Sequence, residues 1–110
     1  MNDTIDEVPF EVTAARQGTS VRLRIAGELD LHREGQLRGA FEGVLAGEPF
    51  DQLVLDLREL QFLDSSGLRV ILLCRDRTRA AGAAFLLAAA PGPVTRLFAV
   101  AGVQSWFDYE

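Results

Sequence analysis

Lysine is absent from this sequence, and all eleven basic residues are arginine. A glycine-rich phosphate loop ending in lysine is therefore excluded, because that loop needs the ammonium group for the phosphates. The arginine bias itself reads as genome composition rather than function. Histidine and cysteine occur once each, as His32 and Cys74. That leaves too few ligands for a His/Cys metal cluster and no partner for an internal disulfide. Cys74 lies in an apolar run and reads as a small buried hydrophobe. Net positive charge is lacking too: 16 acidic against 11 basic residues give −5, so the basic face that displaces counterions from a nucleic acid is not expected. The longest apolar run, around Ala80 to Ala90, is too short to span a bilayer and is interrupted by Gly82. Residues Met1 to Glu7 are acidic and polar, unlike a secretory leader. These absences predict a cytoplasmic protein with one reduced thiol and with no nucleic-acid, membrane, metal or cofactor partner.

What is present suits a single folded domain over residues 1–110, with a loose tail at 1–9. The hydrophobic fraction of 48% and charged fraction of 25% are those of a globular core with a solvated surface. The chain is organised around Leu60-Gln61-Phe62-Leu63-Asp64-Ser65-Ser66-Gly67-Leu68-Arg69-Val70. An apolar run, Leu53 to Leu57, precedes it, and an apolar segment of helical length, Leu68 to Ala81, comes after. Strand, turn and helix N-terminus is the reading, with Ser65 or Ser66 as the cap. A hydroxyl there can cap the helix, act as a nucleophile, or be a target that a partner enzyme modifies.

In chain order, Phe10 to Ala14 and Val21 to Ile25 alternate apolar and polar across Gln17-Gly18-Thr19-Ser20, which predicts a hairpin. Gly27-Glu28-Leu29-Asp30 ends the second strand, with Asp30 placed to cap the first helix. Leu37, Ala40, Phe41, Val44 and Leu45 form one face of that helix, stopped by Gly47-Glu48-Pro49. Gly35, Gly39 and Gly43 line one side of it, where a backbone could approach closely. Leu53 to Leu57 is a central strand, and Ala83 to Ala88 a fourth strand. Pro91-Gly92-Pro93 turns the chain into a helix bearing Val94, Leu97, Phe98 and Ala101, capped by Gly102. Residues Gln104 to Glu110 read as a short tail, with Trp106 and Phe107 docked on the core. The order β-β-α-β-α-β-α predicts an α/β domain: a small mixed sheet carrying amphipathic helices.

Gly27-Glu28-Leu29-Asp30 closing the second strand, with Asp64-Ser65-Ser66-Gly67-Leu68 between third strand and second helix, resembles the STAS domain. More narrowly, it resembles the bacterial anti-sigma factor antagonists. The resemblance covers about Phe10 to Phe107, and the element order agrees. It implies partner switching. The unmodified antagonist binds an anti-sigma factor that is itself a serine/threonine kinase and so frees the sigma factor. Phosphorylation of the first serine of the motif, here Ser65, abolishes binding, and a metal-dependent serine phosphatase restores it. Asp30 and Asp64 match the family's acidic neighbours of that serine. Arg69 departs from the pattern, since some antagonists carry a small glycine there, and it bears on partner choice.

The residues themselves allow blander roles. Ser65 could simply be a helix cap, worth about 0.5–2 kcal/mol, with Ser66 capping while Ser65 points outward. Asp30 could cap its helix and Asp64 could be a turn residue. On the second helix, Val70, Ile71, Cys74, Thr78 and Ala81 share the side expected to face the sheet. Leu68, Leu72, Arg75 and Arg79 form another stripe, read either as a docking edge beside Ser65 or as packing under a neighbouring helix. The partner-binding set is thus Asp30, Asp64, Ser66, Gly67, Leu68, Arg69 and Leu72. No catalytic role is assigned: no Gly-x-Ser-x-Gly elbow is present, and His32 is the sole imidazole. The alternative function is a STAS interaction subunit of a transporter ATPase or of a stressosome-like assembly.

Overall fold

The computed structural model describes residues 9–88 and 92–110. Apart from Pro9, the tail read at 1–9 lies outside the described residues, as does Pro91 of the predicted turn. The alternating segments do form a hairpin: β1 (Glu11–Gln17) and β2 (Ser20–Leu29) pair antiparallel, with Val12 opposite Ile25. Val21, Leu23 and Ile25 of β2 are buried in the core while Arg24 between them is exposed, as a two-sided strand requires. The chain continues through α1 (Glu34–Ala46), β3 (Gln52–Leu63), α2 (Ser65–Ala80), β4 (Ala84–Ala88) and α3 (Gly92–Ala101). It ends in a 3-10 turn at Gln104–Trp106 and a two-residue strand, β5 (Asp108–Tyr109). The strands lie in sequence order, β1-β2-β3-β4-β5, and every pair after the hairpin is parallel.

α1 and α2 bury most of their predicted stripes, and α3 buries Val94 and Phe98 but leaves Ala101 exposed at its end. Leu37, Phe41 and Val44 of α1 and Val70, Ile71, Cys74 and Thr78 of α2 are buried, and the apolar ones join Leu23, Leu53 and Leu55 in one cluster. Each such fully buried aliphatic or aromatic side chain contributes about 1.5–3 kcal/mol. Arg77 of α2 clips the helix pair from outside: it pairs with Glu42 and lies over the Phe41 ring at 5.9 Å. Burial pushes the Cys74 thiol up to about 12, which leaves it a thiol and not a thiolate at neutral pH.

Several expectations are corrected. Residues 104–110 are not merely a tail: Leu86 and Leu87 of β4 pair with Asp108 and Tyr109. Phe107 docks on the core, stacking on Phe98 at 5.4 Å, but Trp106 beside it is 49% exposed. Ala81 ends α2 in solvent rather than facing the sheet. Nothing lies within 4 Å of a Cβ built on Gly35, Gly39 or Gly43, so no backbone approaches α1 there. β2 and β3 both run longer than their apolar cores suggested.

That extra length positions the site. The β2–β3 register slips twice, between Arg24 and Ala26 and between Gly27 and Glu28, so that ten residues of β2 span twelve of β3. Gly27, at φ +92, supplies the backbone that a β-branched or bulky residue would resist there. The two bulges bring the strand ends level, with Leu29 directly opposite Leu63.

On the sheet face opposite Val21 and Leu23, Asp56 is fully buried and accepts from Arg22 Nε (2.9 Å), Arg58 N (3.1 Å), Arg58 Nε (3.0 Å) and Arg58 Nη2 (2.8 Å). Arg22 also grips both side-chain carboxylate oxygens of Glu110, at 2.7 and 2.9 Å, which ties the residue after Tyr109 to β2. Burial alone would push the Asp56 carboxyl up. The hydrogen bonds from Arg58 and Arg22 outweigh it and hold the group at about 2, below its ordinary 3.8. The unfolded chain therefore takes up this proton first as pH falls. The stabilisation is complete above about pH 4 and is lost as pH drops toward about 2, an effect of about 2 kcal/mol. Urea unfolding over that range is expected to show a shallower acid limb for Asp56→Asn, which is also less stable at neutral pH; an unchanged limb would show that other carboxylates set it.

Candidate functional site

Level strand ends release Asp30 and Asp64 side by side at the C-terminal edge of two parallel strands, the edge where ligands and partners meet open α/β sheets. The Asp64 backbone N–H donates to Leu29 O at 3.3 Å, so the two exits are tied together. Asp30 turns its own loop: its Oδ1 accepts from His32 N (3.1 Å) and Arg33 N (3.2 Å), and its Oδ2 accepts from Arg33 Nη1 (2.9 Å). α1 starts only at Glu34, with Arg33 in the cap position, so Asp30 stabilises the preceding turn rather than capping the helix itself.

Neither serine is the cap of α2. Asp64 takes that position, in extended conformation, with Oδ1 accepting from Gly67 N at 2.9 Å. The helix ladder begins with Leu68 N on Asp64 O at 3.0 Å. Ser65 and Ser66 are therefore the first two helical residues, whose N–H groups precede the ladder and have no intrahelical acceptor. Asp64 wins because a carboxylate at this position both accepts from the first turn and meets the positive end of the helix. Ser65 is exposed and Ser66 is half-buried.

The rest of the predicted set divides between support and surface. Gly67 is buried, and a Cβ on it would stand 2.5 Å from Leu63 Cδ1, 2.7 Å from Leu29 O and 2.9 Å from Leu29 Cγ. Leu68 is only 8% exposed and belongs to the core; Leu72 is half-buried against it. The packing reading of that stripe thus holds for Leu68. Arg75 pairs with its neighbour Asp76, and Arg79 reaches toward Asp108 of β5. Arg69 is exposed.

Two exposed apolar side chains at the ends of β2 and β3 were not legible in the sequence. Leu31, directly after Asp30, is 63% exposed, and Phe62, just before Leu63, is 47% exposed. A groove of about 340 Å³ between the end of β3 and α3 is lined by Phe62, Leu63, Pro93, Arg96, Leu97 and Val100. The second bulge turns Phe62 outward. Among the described residues no group of three or more metal-ligating side chains converges, and no helix is long and apolar enough to cross a membrane.

Comparison with known proteins gives a consistent picture. The model of the family described as Mlab, STAS domain, matches residues 12–106. An anti-sigma F factor antagonist of Paenibacillus polymyxa is 42% identical over 50 residues, which is 46% of this chain and 43% of that protein. The aligned part is thus less than half the length of this curated relative. Among solved structures, an anti-sigma factor antagonist from Mycobacterium paratuberculosis superposes with a TM-score of 0.80 at 22% identity, covering 92% of this chain and 85% of that one. The anti-sigma factor antagonist SpoIIAA in its unphosphorylated form gives 0.74 at 22% identity, covering 93% and 88%. The Bacillus SpoIIAA in its phosphorylated form gives 0.67 at 24%, covering 93% and 91%. At these identities the structural matches speak for the fold.

Proposed function

The chain belongs to the STAS domain family, and on that premise we propose that it is an anti-sigma factor antagonist switched at Ser65. In its unmodified form it binds an anti-sigma factor that is a serine/threonine kinase, and the sigma factor is released. The kinase transfers the γ-phosphoryl group of ATP to Ser65 Oγ; ADP leaves, and the hydroxyl proton passes to solvent through the kinase's base. A metal-dependent serine phosphatase returns the hydroxyl by hydrolysis. The observation that carries this reading is the division of labour at the start of α2. Asp64 caps the helix, so the neighbouring exposed Ser65 hydroxyl can be esterified without removing a structural hydrogen bond.

The electrostatics agree. A phosphoryl group adds about −1.5 to −2 charge at neutral pH. The free N–H groups of the first turn receive it, which leaves the fold intact. A partner pressed over Leu31, Phe62 and the serine would have to bury that charge beside Asp30 and Asp64, which costs binding and not folding.

Incubation with the cognate anti-sigma kinase and ATP is expected to add one phosphoryl group, mapped by peptide mass spectrometry to Ser65 and absent in Ser65→Ala. Phosphate on Ser66 or on another residue overturns the site assignment. No incorporation at all points instead to an interaction subunit of a transporter ATPase or of a stressosome-like assembly.

A further inference from the structure

Acidic residues outnumber arginines in this chain, 16 to 11, so an arginine has no shortage of partners. Eight arginines do pair with carboxylates, and Arg16 donates to the main-chain oxygens of Glu48 and Pro49. Among the described residues, only Arg69 and Arg96 engage no anion or carbonyl. Arg96 lines the apolar groove at Leu63. Arg69 is exposed on α2, four residues after the exposed Ser65 in the same helix.

We infer that Arg69 is the internal counter-ion of phosphorylated Ser65, a positioning residue that holds the phosphoryl group along α2; the inference rests on the reading of Ser65 as the modified residue. Side chains four apart on a helix are neighbours, and the order anion first, cation second is the favourable one. A guanidinium offers a planar fork to phosphate oxygens that an ammonium does not. In the unmodified protein the serine is neutral, and no carboxylate stands three or four residues from Arg69 on α2; Asp76, two turns away on the same face, pairs with Arg75. Modification supplies the missing charge. The phosphoryl group is then drawn toward Arg69 and away from Asp64, and it is held as the dianion.

The charged and titratable groups around it are Asp64 on the same turn, and Asp30, its partner Arg33 and His32 on the loop after β2. Arg96 stands on α3 at the groove. All of these are identical in wild type and in an Arg69 variant, so their effects cancel in the comparison.

The test uses the full chain with phosphoserine installed at position 65 by encoded synthesis, which needs no kinase, and tracks the second ionisation by phosphorus NMR. That ionisation lies near pH 6. The wild-type midpoint is expected about 0.3–0.5 unit below that of Arg69→Gln, with Arg69→Lys between them. Arg96→Gln is expected to leave it unmoved. Equal midpoints in wild type and Arg69→Gln overturn the inference, as does a shift seen only with Arg96→Gln. A Ser65 that no kinase labels would instead overturn the functional reading, and this titration would still report on Arg69.

Discussion

Gly67→Ala is expected to destabilise the fold by about 3 kcal/mol, the upper end of what overpacking costs, and to lower the thermal midpoint by about 12–20 °C. Glycine inside a helix is normally the weaker choice, by about 1 kcal/mol relative to alanine. Here the sign reverses, because the methyl would lie 2.7 Å from Leu29 O and 2.5 Å from Leu63 Cδ1. The leucine side chain can rotate away. The carbonyl cannot, since it belongs to β2 and accepts from Asp64 N. Relief requires α2 to lift off the strand ends, and that displaces Asp64 and Ser65 together. Gly39→Ala is the control: nothing lies within 4 Å of the added methyl, so α1 should gain stability. Thermal unfolding of the two variants decides it, and a Gly67→Ala protein as stable as wild type would sink the argument.

That steric seat explains both what could be read from the chain and what could not. Periodicity located the hairpin, three helices and the parallel strands, because Val21, Leu23 and Ile25, or Leu37, Phe41 and Val44, must share a face to be buried at all. It also located the serine loop, since an apolar strand, a polar turn and an apolar helix occur in order. What it missed depends on contacts between distant residues. β5 is two residues long and exists only because β4 offers an edge. The β2–β3 bulges leave no mark in β3, yet they set Asp30 beside Asp64 and turn Phe62 outward.

The sequence points to Ser65 or Ser66 as the cap and leaves Asp64 as a turn residue, yet Asp64 takes the position. All three residue types favour that position, and only the register of the first helical hydrogen bond decides between them. Gly67 carried a signal that helix propensity obscured: a glycine in the first turn, after a capping motif, marks close approach to a neighbouring backbone. The same limit applies to charge. Eleven arginines in a sequence look alike, and only the folded chain distinguishes those held by carboxylates from Arg69 and Arg96.

Ser65→Asp is expected to weaken binding of the anti-sigma partner by about 100-fold, or about 3 kcal/mol, while leaving the protein as stable as wild type or slightly more so. The two effects have opposite signs for one reason. A carboxylate in the first turn of α2 meets the positive end of the helix and gains about 0.3–1 kcal/mol, and Asp64 keeps the cap. Covered by a partner, that carboxylate loses its water beside Asp30 and Asp64, and a single ion pair to Arg69 along the helix does not repay the desolvation. Ser65→Ala removes only a hydroxyl and should bind as wild type does. Calorimetric titration of the partner alongside thermal unfolding separates the outcomes: lost affinity with an unchanged midpoint is the signature of a charge switch, whereas lost affinity with a lowered midpoint would mean that Ser65 supports the fold, and undiminished affinity would place the interface elsewhere.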